Sequence, residues 1–297
     1  MKQDIKKYTY SDDTGDAQAT IYTLGKAIEV IFTSVHMESF DFNQIELKPF
    51  QKEIRIRYCK EGRLEQAIDQ AFFYLMPSDC LIMYDCFPSN SYQIPLHHYH
   101  GITIRLDMEH LEPLLYDYVK LFYDVHPIVK DHIILRKNQK FQRYFEELYQ
   151  NIENDGLSYL WMKLPELIYL LKHINHQDDE HYVNKSQVEL VKDVAQYMKE
   201  HLHEKVTMHQ LTQSFHVSQT YLQNAFQQVY GMSVIRFVRV MKMQSAAQVL
   251  IHTNKTIEQI AEEFGYENES KFSVAFKKLM GDSPGIYRKE HSKIKII

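Results

Sequence analysis

Six side chains in the last third of the chain are of types that can recognise DNA bases, and they fall on one face of each of two helical segments. Gln and Asn amides can pair bidentately with adenine N6 and N7, a Thr methyl can contact a thymine methyl, and a Lys can reach guanine. On the first segment this face carries no charge, which favours A/T-rich sequence. The predicted base-contacting residues are Thr220, Gln223 and Asn224 on the first segment and Ser270, Lys271 and Val274 on the second.

The segments that position these residues are two copies of one helix-turn-helix pattern. Thr207 and Thr256, 49 residues apart, each begin a Thr-x-x-Gln capping box that starts a helix. Leu222 and Phe272, 50 residues apart, mark the buried stripe of the second helix in each copy. Two such units joined by a linker helix suit successive major grooves, about 10 base pairs apart. The predicted reading helices cover about 218–230 and 268–280.

The turn inside each copy needs an unusual backbone. Gly265 supplies it in the second copy, because glycine adopts left-handed angles without steric cost. His216 stands at the corresponding place in the first copy, where we expect strain. Gly231 and Gly281 are predicted to end the two reading helices, and Ser218 to cap the start of the first.

Basic and hydroxyl side chains around the two copies are candidates for phosphate contacts, which set the register of a protein on DNA without reading its sequence. The alternative is that these are solvated helix faces, and for one copy alone that alternative is equally strong. Two copies in the same register make it weak. The predicted backbone contacts are Ser218, Arg236, Lys242, Lys277, Lys278 and Arg288.

Residues 187–290 resemble the DNA-binding domain of the AraC/XylS family of transcriptional regulators. The most specific stretches are Ile260-Ala261-Glu-Glu-Phe-Gly265-Tyr266, Phe272-Ser-Val-Ala-Phe276-Lys277-Lys278 and Gly281-Asp-Ser-Pro284-Gly-Ile-Tyr287-Arg288. The first copy departs from the family in its turn and at Val234, where the family often has Pro. The resemblance implies a bacterial transcription factor that binds double-stranded DNA as activator or repressor, and that contacts RNA polymerase if it is an activator.

The charge of the chain is unevenly spread. Its 297 residues carry a formal net charge of -5, which argues against a general polyanion binder. From Ser186 onward, 14 Lys and Arg stand against 11 Asp and Glu, whereas the remaining residues hold 20 basic and 28 acidic side chains. This asymmetry is typical of an acidic sensor joined to a mildly basic DNA reader.

Cysteine spacing and hydropathy indicate the compartment. Cys59, Cys80 and Cys86 show neither disulfide nor metal spacing, which favours reduced thiols. No apolar run reaches membrane-spanning length, and the N-terminus shows no apolar leader. We therefore expect a cytoplasmic protein with no membrane contact.

The first 107 residues show short strand patterns separated by turn signals. The strands are predicted at Glu53–Tyr58, Ala71–Met76, Cys80–Tyr84 and His100–Leu106. This succession predicts a small barrel or jelly roll, and it resembles the cupin-like effector domain of many AraC-family members. That resemblance implies a pocket for a small-molecule effector. Its candidate lining residues, for each of which core packing is the alternative, are Tyr58, Phe72, Tyr74, Tyr84 and Tyr92.

Histidines raise the alternative of a metal-dependent enzyme. His98 and His100 would share one face of a strand, but two imidazoles make a poor metal site, and no carboxylate lies close by in sequence. Ordinary hydrogen-bonded histidines are favoured, and we predict no catalytic residue, no metal site and no cofactor. A second alternative is a protein that only recruits partners through its helical middle.

Helical patterns fill residues 108–175. The first covers Met108–Tyr118, the second ends near Gly156, and the third covers Leu157–Ile174 with a predicted kink at Pro165. The third helix is apolar over so much of its surface that it needs burial on several sides, either against the barrel or against a second copy of the chain. The family resemblance implies a homodimer formed partly through this region.

The predicted organisation is therefore an α+β chain. Residues 1–107 form a cupin-like β-barrel or jelly roll, 108–175 a helical dimerisation segment, and 176–186 a linker. Residues 187–297 form an all-α DNA-binding domain with two helix-turn-helix units.

Overall fold

The computed structural model describes residues 5–12, 15–37, 39–41, 47, 50–68, 71–84, 91–113, 116–117, 132–174, 183–202, 204 and 206–291. The chain forms two compact units, Met1–Tyr182 and Val183–Ile297. The division falls inside the polar stretch 176–186. Within the described residues, no helix has the length and apolar character needed to cross a bilayer.

The N-terminal unit is built on antiparallel strands. They are β1 (Ile5–Asp12), β2 (Gly15–Leu24), β3 (Ile28–His36), β4 (Ser39–Asp41), β5 (Glu53–Gly62), β6 (Leu64–Ile68), β7 (Ala71–Leu75), β8 (Cys80–Tyr84), β9 (Ser91–Gln93), β10 (Tyr99–Asp107) and β11 (His132–Leu135). The larger sheet has the order β1-β2-β3-β10-β5-β8-β11, and a second sheet contains β7-β6-β9-β4. The four predicted strands are thus confirmed as β5, β7, β8 and β10.

The central strands of the larger sheet are buried on both faces, and alternate residues of each strand face opposite sides. The even-numbered residues of β3 and β10, such as Val30 and Ile104, share one core with the long helix of this unit. The odd-numbered residue Ile31 shares a second core with Leu64 and Phe73 of the smaller sheet. The sheet is therefore sandwiched between the helix and the smaller sheet.

Helix α1 (Gln139–Lys172) is broken where the sequence analysis ends one helix and begins the next. Gly156 is the residue of this helix with non-helical backbone angles (φ 54°, ψ -138°). Leu160, Leu164, Leu167 and Leu171 pack into the sheet core, so the unit itself buries most of the apolar stripe. Of the predicted first helix, residues 108–113 and 116–117 are described, and Met108–His110 form a turn; residues 114–115 and 118 lie outside the described residues.

Charged residues at one end of the sheet are buried as a network. The Arg105 guanidinium donates to Glu53 at 2.8 and 2.9 Å and to Glu29 at 2.5 Å, and Arg55 Nε donates to Glu53 at 2.8 Å. Burial raises the pKa of Glu53, but the hydrogen bonds from Arg105 and Arg55 outweigh burial and leave that pKa below its ordinary value. Glu53 is therefore ionised at neutral pH and holds two strands together by charge pairing.

The C-terminal unit is helical after the two-residue strand β12 (Val183–Asn184). Its helices are α2 (Lys185–Glu200), α3 (Met208–Ser214), α4 (Gln219–Tyr230), α5 (Val234–His252), α6 (Ile257–Glu263), α7 (Glu269–Met280) and α8 (Pro284–His291). The pairs α3–α4 and α6–α7 are the two predicted helix-turn-helix units, and α5 is the linker helix between them. Pro284 begins α8, as predicted for a proline at the first helical position.

Candidate nucleic-acid interface

The first helix-turn-helix unit is fixed by local contacts that the sequence predicts. Thr207 and Gln210 form a reciprocal capping box: Gln210 N donates to Thr207 Oγ1 at 3.2 Å, and Thr207 N donates to Gln210 Oε1 at 2.8 Å. Ser218 caps the reading helix α4 by accepting from Tyr221 N at 3.2 Å. His216 has a φ of +53°, so the turn does impose a left-handed backbone on a residue with a side chain.

The second unit repeats this construction with better-suited residues. Thr256 and Gln259 form the capping box, and Gly265, with a φ of +75°, takes the place of His216 in the turn. Asn268 caps reading helix α7 by accepting from Lys271 N at 2.8 Å, a contact that the sequence analysis missed. An Asn directly before a helical stripe is a recognisable cap signal, so this one was available from the sequence.

All six predicted base-contacting side chains are exposed on their reading helices. Helix α4 buries Leu222, Ala225, Phe226 and Val229, and α7 buries Phe272 and Phe276. The opposite faces are therefore in solvent, and Val274 is 71% exposed although it is apolar. A second apolar side chain, Tyr221, is 44% exposed near the start of α4, a feature that the sequence analysis did not single out.

The two reading faces differ in charge. Helix α4 contains no acidic or basic residue, whereas α7 carries Lys271, Lys277 and Lys278 together with Glu269 in its first turn. Lys271 pairs with the Glu267 carboxylate one turn earlier. Both members of this pair are exposed, so the contact is weak in water and its ammonium group is available to a stronger acceptor.

Two of the predicted phosphate contacts also support the fold. Lys242 Nζ donates to Phe264 O at 3.1 Å and so ties linker helix α5 to the turn of the second unit. Arg288 donates from Nε to Leu250 O at 2.9 Å and from Nη2 to Lys255 O at 2.6 Å. Arg236, Lys277 and Lys278 are exposed, and Ser218 is the helix cap described above. The exposed three are therefore the stronger candidates for phosphate contacts.

The candidate effector-pocket residues are not brought to one surface. Tyr58 stacks on Phe145 of α1, with ring centroids 4.6 Å apart, in the core between helix and sheet. Tyr74 donates to Glu65 Oε2 at 2.7 Å. Its neighbour on β7, Phe73, faces the core between the two sheets, so Tyr74 faces the opposite side of the smaller sheet. Phe72 is half-buried on the same strand. The side chains of Tyr84 and Tyr92 lie outside the described residues.

Comparisons with known proteins match mainly the C-terminal unit. A helix-turn-helix domain family matches residues 211–290. The chain is similar to the uncharacterized HTH-type transcriptional regulator YisR of Bacillus subtilis, at 36% identity over 33% of this chain and 34% of YisR. It is also similar to the uncharacterized HTH-type transcriptional regulator YdiP of Escherichia coli, at 29% identity over 46% of each chain. The chain thus spans less than half the length of these curated relatives.

Among solved structures, the C-terminal domain of AraT, a response regulator from Geobacillus stearothermophilus, is 35% identical over 34% of this chain and 84% of that chain, with a TM-score of 0.32. An AraC-type transcriptional regulator from Chromobacterium violaceum is 20% identical over 37% of this chain and 99% of that chain, with a TM-score of 0.36. The domain match and the signature residues of α6–α8 agree on the same segment. The C-terminal unit of this chain is a helix-turn-helix domain of the AraC type.

Proposed function

We propose that this chain is a sequence-specific DNA-binding transcriptional regulator whose two reading helices enter adjacent major grooves. The observation that carries the proposal is the pairing of a fully packed inner face with an exposed polar outer face on both α4 and α7. The repeated capping boxes and left-handed turns also favour this function, because a helix that is only a solvated surface would not require a second copy of the same unit. As an activator, the protein would also contact RNA polymerase.

The two helices divide the recognition between them. Gln223 and Asn224 are exposed amides suited to adenine, so α4 favours A/T-rich sequence. On α7, Lys271 is the candidate for guanine, and Val274 offers an exposed apolar group to a thymine methyl. Ser218, Arg236, Lys277 and Lys278 contact phosphates, with smaller contributions from Lys242 and Arg288, whose donors already bond to the fold.

The test is DNA selection with the full chain, followed by affinity measurements. A preferred duplex is selected from a random library, and its Kd is compared with that of a scrambled duplex by fluorescence anisotropy at fixed salt. The Gln223→Ala/Asn224→Ala variant is expected to lose affinity for the selected duplex and little for the scrambled one. Gln213→Ala, an exposed amide on α3, is the matched control. Equal losses on both duplexes would refute base reading by α4.

We further propose that the N-terminal unit is cupin-like and senses a small effector that shifts the population of DNA-binding states. Support comes from polar side chains buried between its two sheets, where Arg57 Nε donates to Thr103 Oγ1 at 3.3 Å. Buried donors of this kind can bind the polar groups of a small molecule. A thermal-shift screen of metabolites against the full chain tests this, and the absence of any stabilising compound would favour a unit that only recruits partners.

The exposed side of α1 is the proposed homodimer surface. Trp161, Met162 and Tyr169 are 39%, 69% and 57% exposed. Met162 and Tyr169 lie seven residues, or about two turns, apart on one side of the helix, and Trp161 directly precedes Met162. Exposed apolar groups at this spacing suit a symmetric contact with a second copy. Sedimentation of the full chain should show a dimer that Met162→Glu dissociates. Gln150→Glu, which adds the same charge at an exposed position of α1 before Gly156, should leave the dimer intact. A wild-type monomer at micromolar concentration would remove the proposal.

A further inference from the structure

Three histidines from distant parts of the chain meet at one end of the larger sheet. His36 ends β3, His98 directly precedes β10, and His100 lies in β10. The register pairs His100 with Ser34 on one side and with Glu61 of β5 on the other. Alternation along each strand then places His36 beside Ser34, and His98 beside His100. Sequence spacing points to only two of these histidines, His98 and His100, and not to His36 or Glu61.

The ring nitrogens converge on a common space. One nitrogen from each histidine can be chosen so that all three lie within 4.8 Å of one another. His98 Nδ1 lies 3.3 Å from His36 Nδ1, and His100 Nε2 lies 3.4 Å from His36 Nε2. Metal–nitrogen bonds of about 2.0–2.1 Å put the ligand nitrogens of a tetrahedral site about 3.4 Å apart. The two short distances use different nitrogens of His36, so this ring must rotate to bring one nitrogen from each histidine to bonding distance of one ion.

The remaining contacts fit the surroundings of a metal site. Glu61 Oε2 lies 3.6 Å from His98 Nε2 and 3.8 Å from His100 Nδ1, the nitrogens opposite those that face His36. Metal-binding histidines commonly donate that second N–H to a carboxylate, which fixes the ring. Ser34 Oγ lies 2.9 Å from His100 Nε2 and 3.3 Å from His36 Nε2. Its hydroxyl therefore lies beside two of the nitrogens that would face the ion.

The backbone around the cluster is specialised for close approach. Gly62, with a φ of +80°, lies so close to the strand start that a Cβ there would stand 1.9 Å from His98 O. His97 has a φ of +52°, an uncommon conformation for a residue with a side chain. The chain therefore bears some strain where it delivers His98 and His100 to Glu61.

The cluster lies on the helix-facing side of the larger sheet. Ser34 has the same parity as Phe32, whose ring contacts Tyr149 of α1 with centroids 5.4 Å apart. The histidine cluster is therefore separate from the space between the two sheets, where the proposed effector site would lie.

A second group, Asp107, Glu109 and His110, is explained by an ordinary turn, since Asp107 accepts from Glu109 N at 3.0 Å and lies 2.8 Å from His110 Nδ1.

We propose that His36, His98 and His100 bind one divalent transition-metal ion, with Zn²⁺ the best-fitting ion for three imidazole ligands. Glu61 is a positioning residue that orients two of the rings. A water molecule would be the fourth ligand of a tetrahedral site. This site is in the N-terminal unit, so it does not depend on the proposed DNA-binding function.

The test is a Zn²⁺ titration of the full chain after chelator treatment, by competition with a chromogenic chelator, and a Co²⁺ titration followed by visible absorption. The wild type is expected to bind one ion per chain and to show the absorption of Co²⁺ with nitrogen ligands. His36→Gln and His98→Gln should each weaken binding by more than Glu61→Gln, whose effect should be about 10–100-fold. His110→Gln is the matched control. Circular dichroism of each metal-free variant checks that it is folded.

Two outcomes would overturn the proposal. One is wild-type binding no tighter than that of a folded His36→Gln/His98→Gln variant. The other is a loss in His110→Gln as large as that in His98→Gln, since that would place the ion at the Asp107 turn. Retained binding of one ion by His110→Gln together with its loss in His36→Gln would support the site.

Discussion

The backbone of the helix-turn-helix turn gives a sharp prediction for Gly265→Ala. A Cβ at this position would lie 3.6 Å from its nearest neighbour, Lys242 Nζ, which is an ordinary van der Waals contact. The cost of the substitution therefore comes from the backbone alone. A residue with a Cβ in the left-handed region loses about 1–2 kcal/mol, so we expect the second unit to lose that much stability.

Native-state hydrogen exchange of the full chain measures this cost locally. Amides in the buried segment around Phe272 and Phe276 report the opening of α6 and α7, and about 1.4 kcal/mol corresponds to a tenfold loss of protection. We expect Gly265→Ala to lower protection there by about five- to thirtyfold. Protection around Phe226 in the first unit provides the internal comparison.

The reciprocal change in the first unit is His216→Gly. It relieves the left-handed strain at His216 (φ +53°) but adds freedom to the unfolded chain, which costs about 0.5–1 kcal/mol. The expected result is a small gain or no change in protection around Phe226. Unchanged protection in Gly265→Ala, or a loss above about 4 kcal/mol, which exceeds ordinary single-site effects, would refute the assignment of the cost to the backbone.

Three other perturbations test the two units. Lys277→Ala should weaken binding to selected and scrambled duplexes alike, and should reduce the slope of log K against log salt concentration by about 1. Anisotropy at several salt concentrations measures both effects. A loss confined to the selected duplex would instead make Lys277 a base contact. Lys242→Met removes the hydrogen bond to Phe264 O and should lower the stability of α6–α7, measured by hydrogen exchange, by about 1 kcal/mol. Unchanged protection of these helices would mean that this bond contributes nothing to their stability. Glu53→Gln removes the negative charge that pairs with the buried Arg105 and Arg55. Calorimetry of the full chain should therefore show the N-terminal unit destabilised by about 3–5 kcal/mol. An unchanged transition would show that Glu29 alone balances the charge of Arg105.

The C-terminal unit was predictable because its determinants are local. Each capping box spans four residues, each reading helix shows its buried stripe within twelve, and the turn is marked by a single residue at 216 or 265. Such signals need no knowledge of what packs on what. The structural duties of Lys242 and Arg288 escaped prediction because their acceptors are carbonyl groups 22 to 38 residues away.

The strands of the N-terminal unit were predicted only in part, because some are too exposed and others too buried to show the alternation typical of a half-buried strand. Strand β1 is exposed along nearly its whole length, so it has no buried face from which a strand could be predicted. Strand β3 is buried on both faces, and its run of apolar residues could equally be part of a buried helix. The break at Gly156 was visible because Asn154-Asp-Gly156 is a strong stop signal, whereas the packing of Leu160–Leu171 on the sheet was one of two alternatives that only tertiary contacts separate.

The histidine cluster shows why the sequence suggested an incomplete metal site. The spacing of His98 and His100 indicates that they share a face of the strand. His36 and Glu61 come close to them only through the pairing register of the strands, which sequence spacing does not encode. A single-residue slip of β3 against β10 would turn His36 and Ser34 to the opposite face. The core residues that prevent this slip, such as Val30 and Ile31, are therefore as necessary to the proposed site as its ligands. On this reasoning, a packing substitution in β3 that preserves the fold but loosens its register should weaken metal binding without touching a ligand.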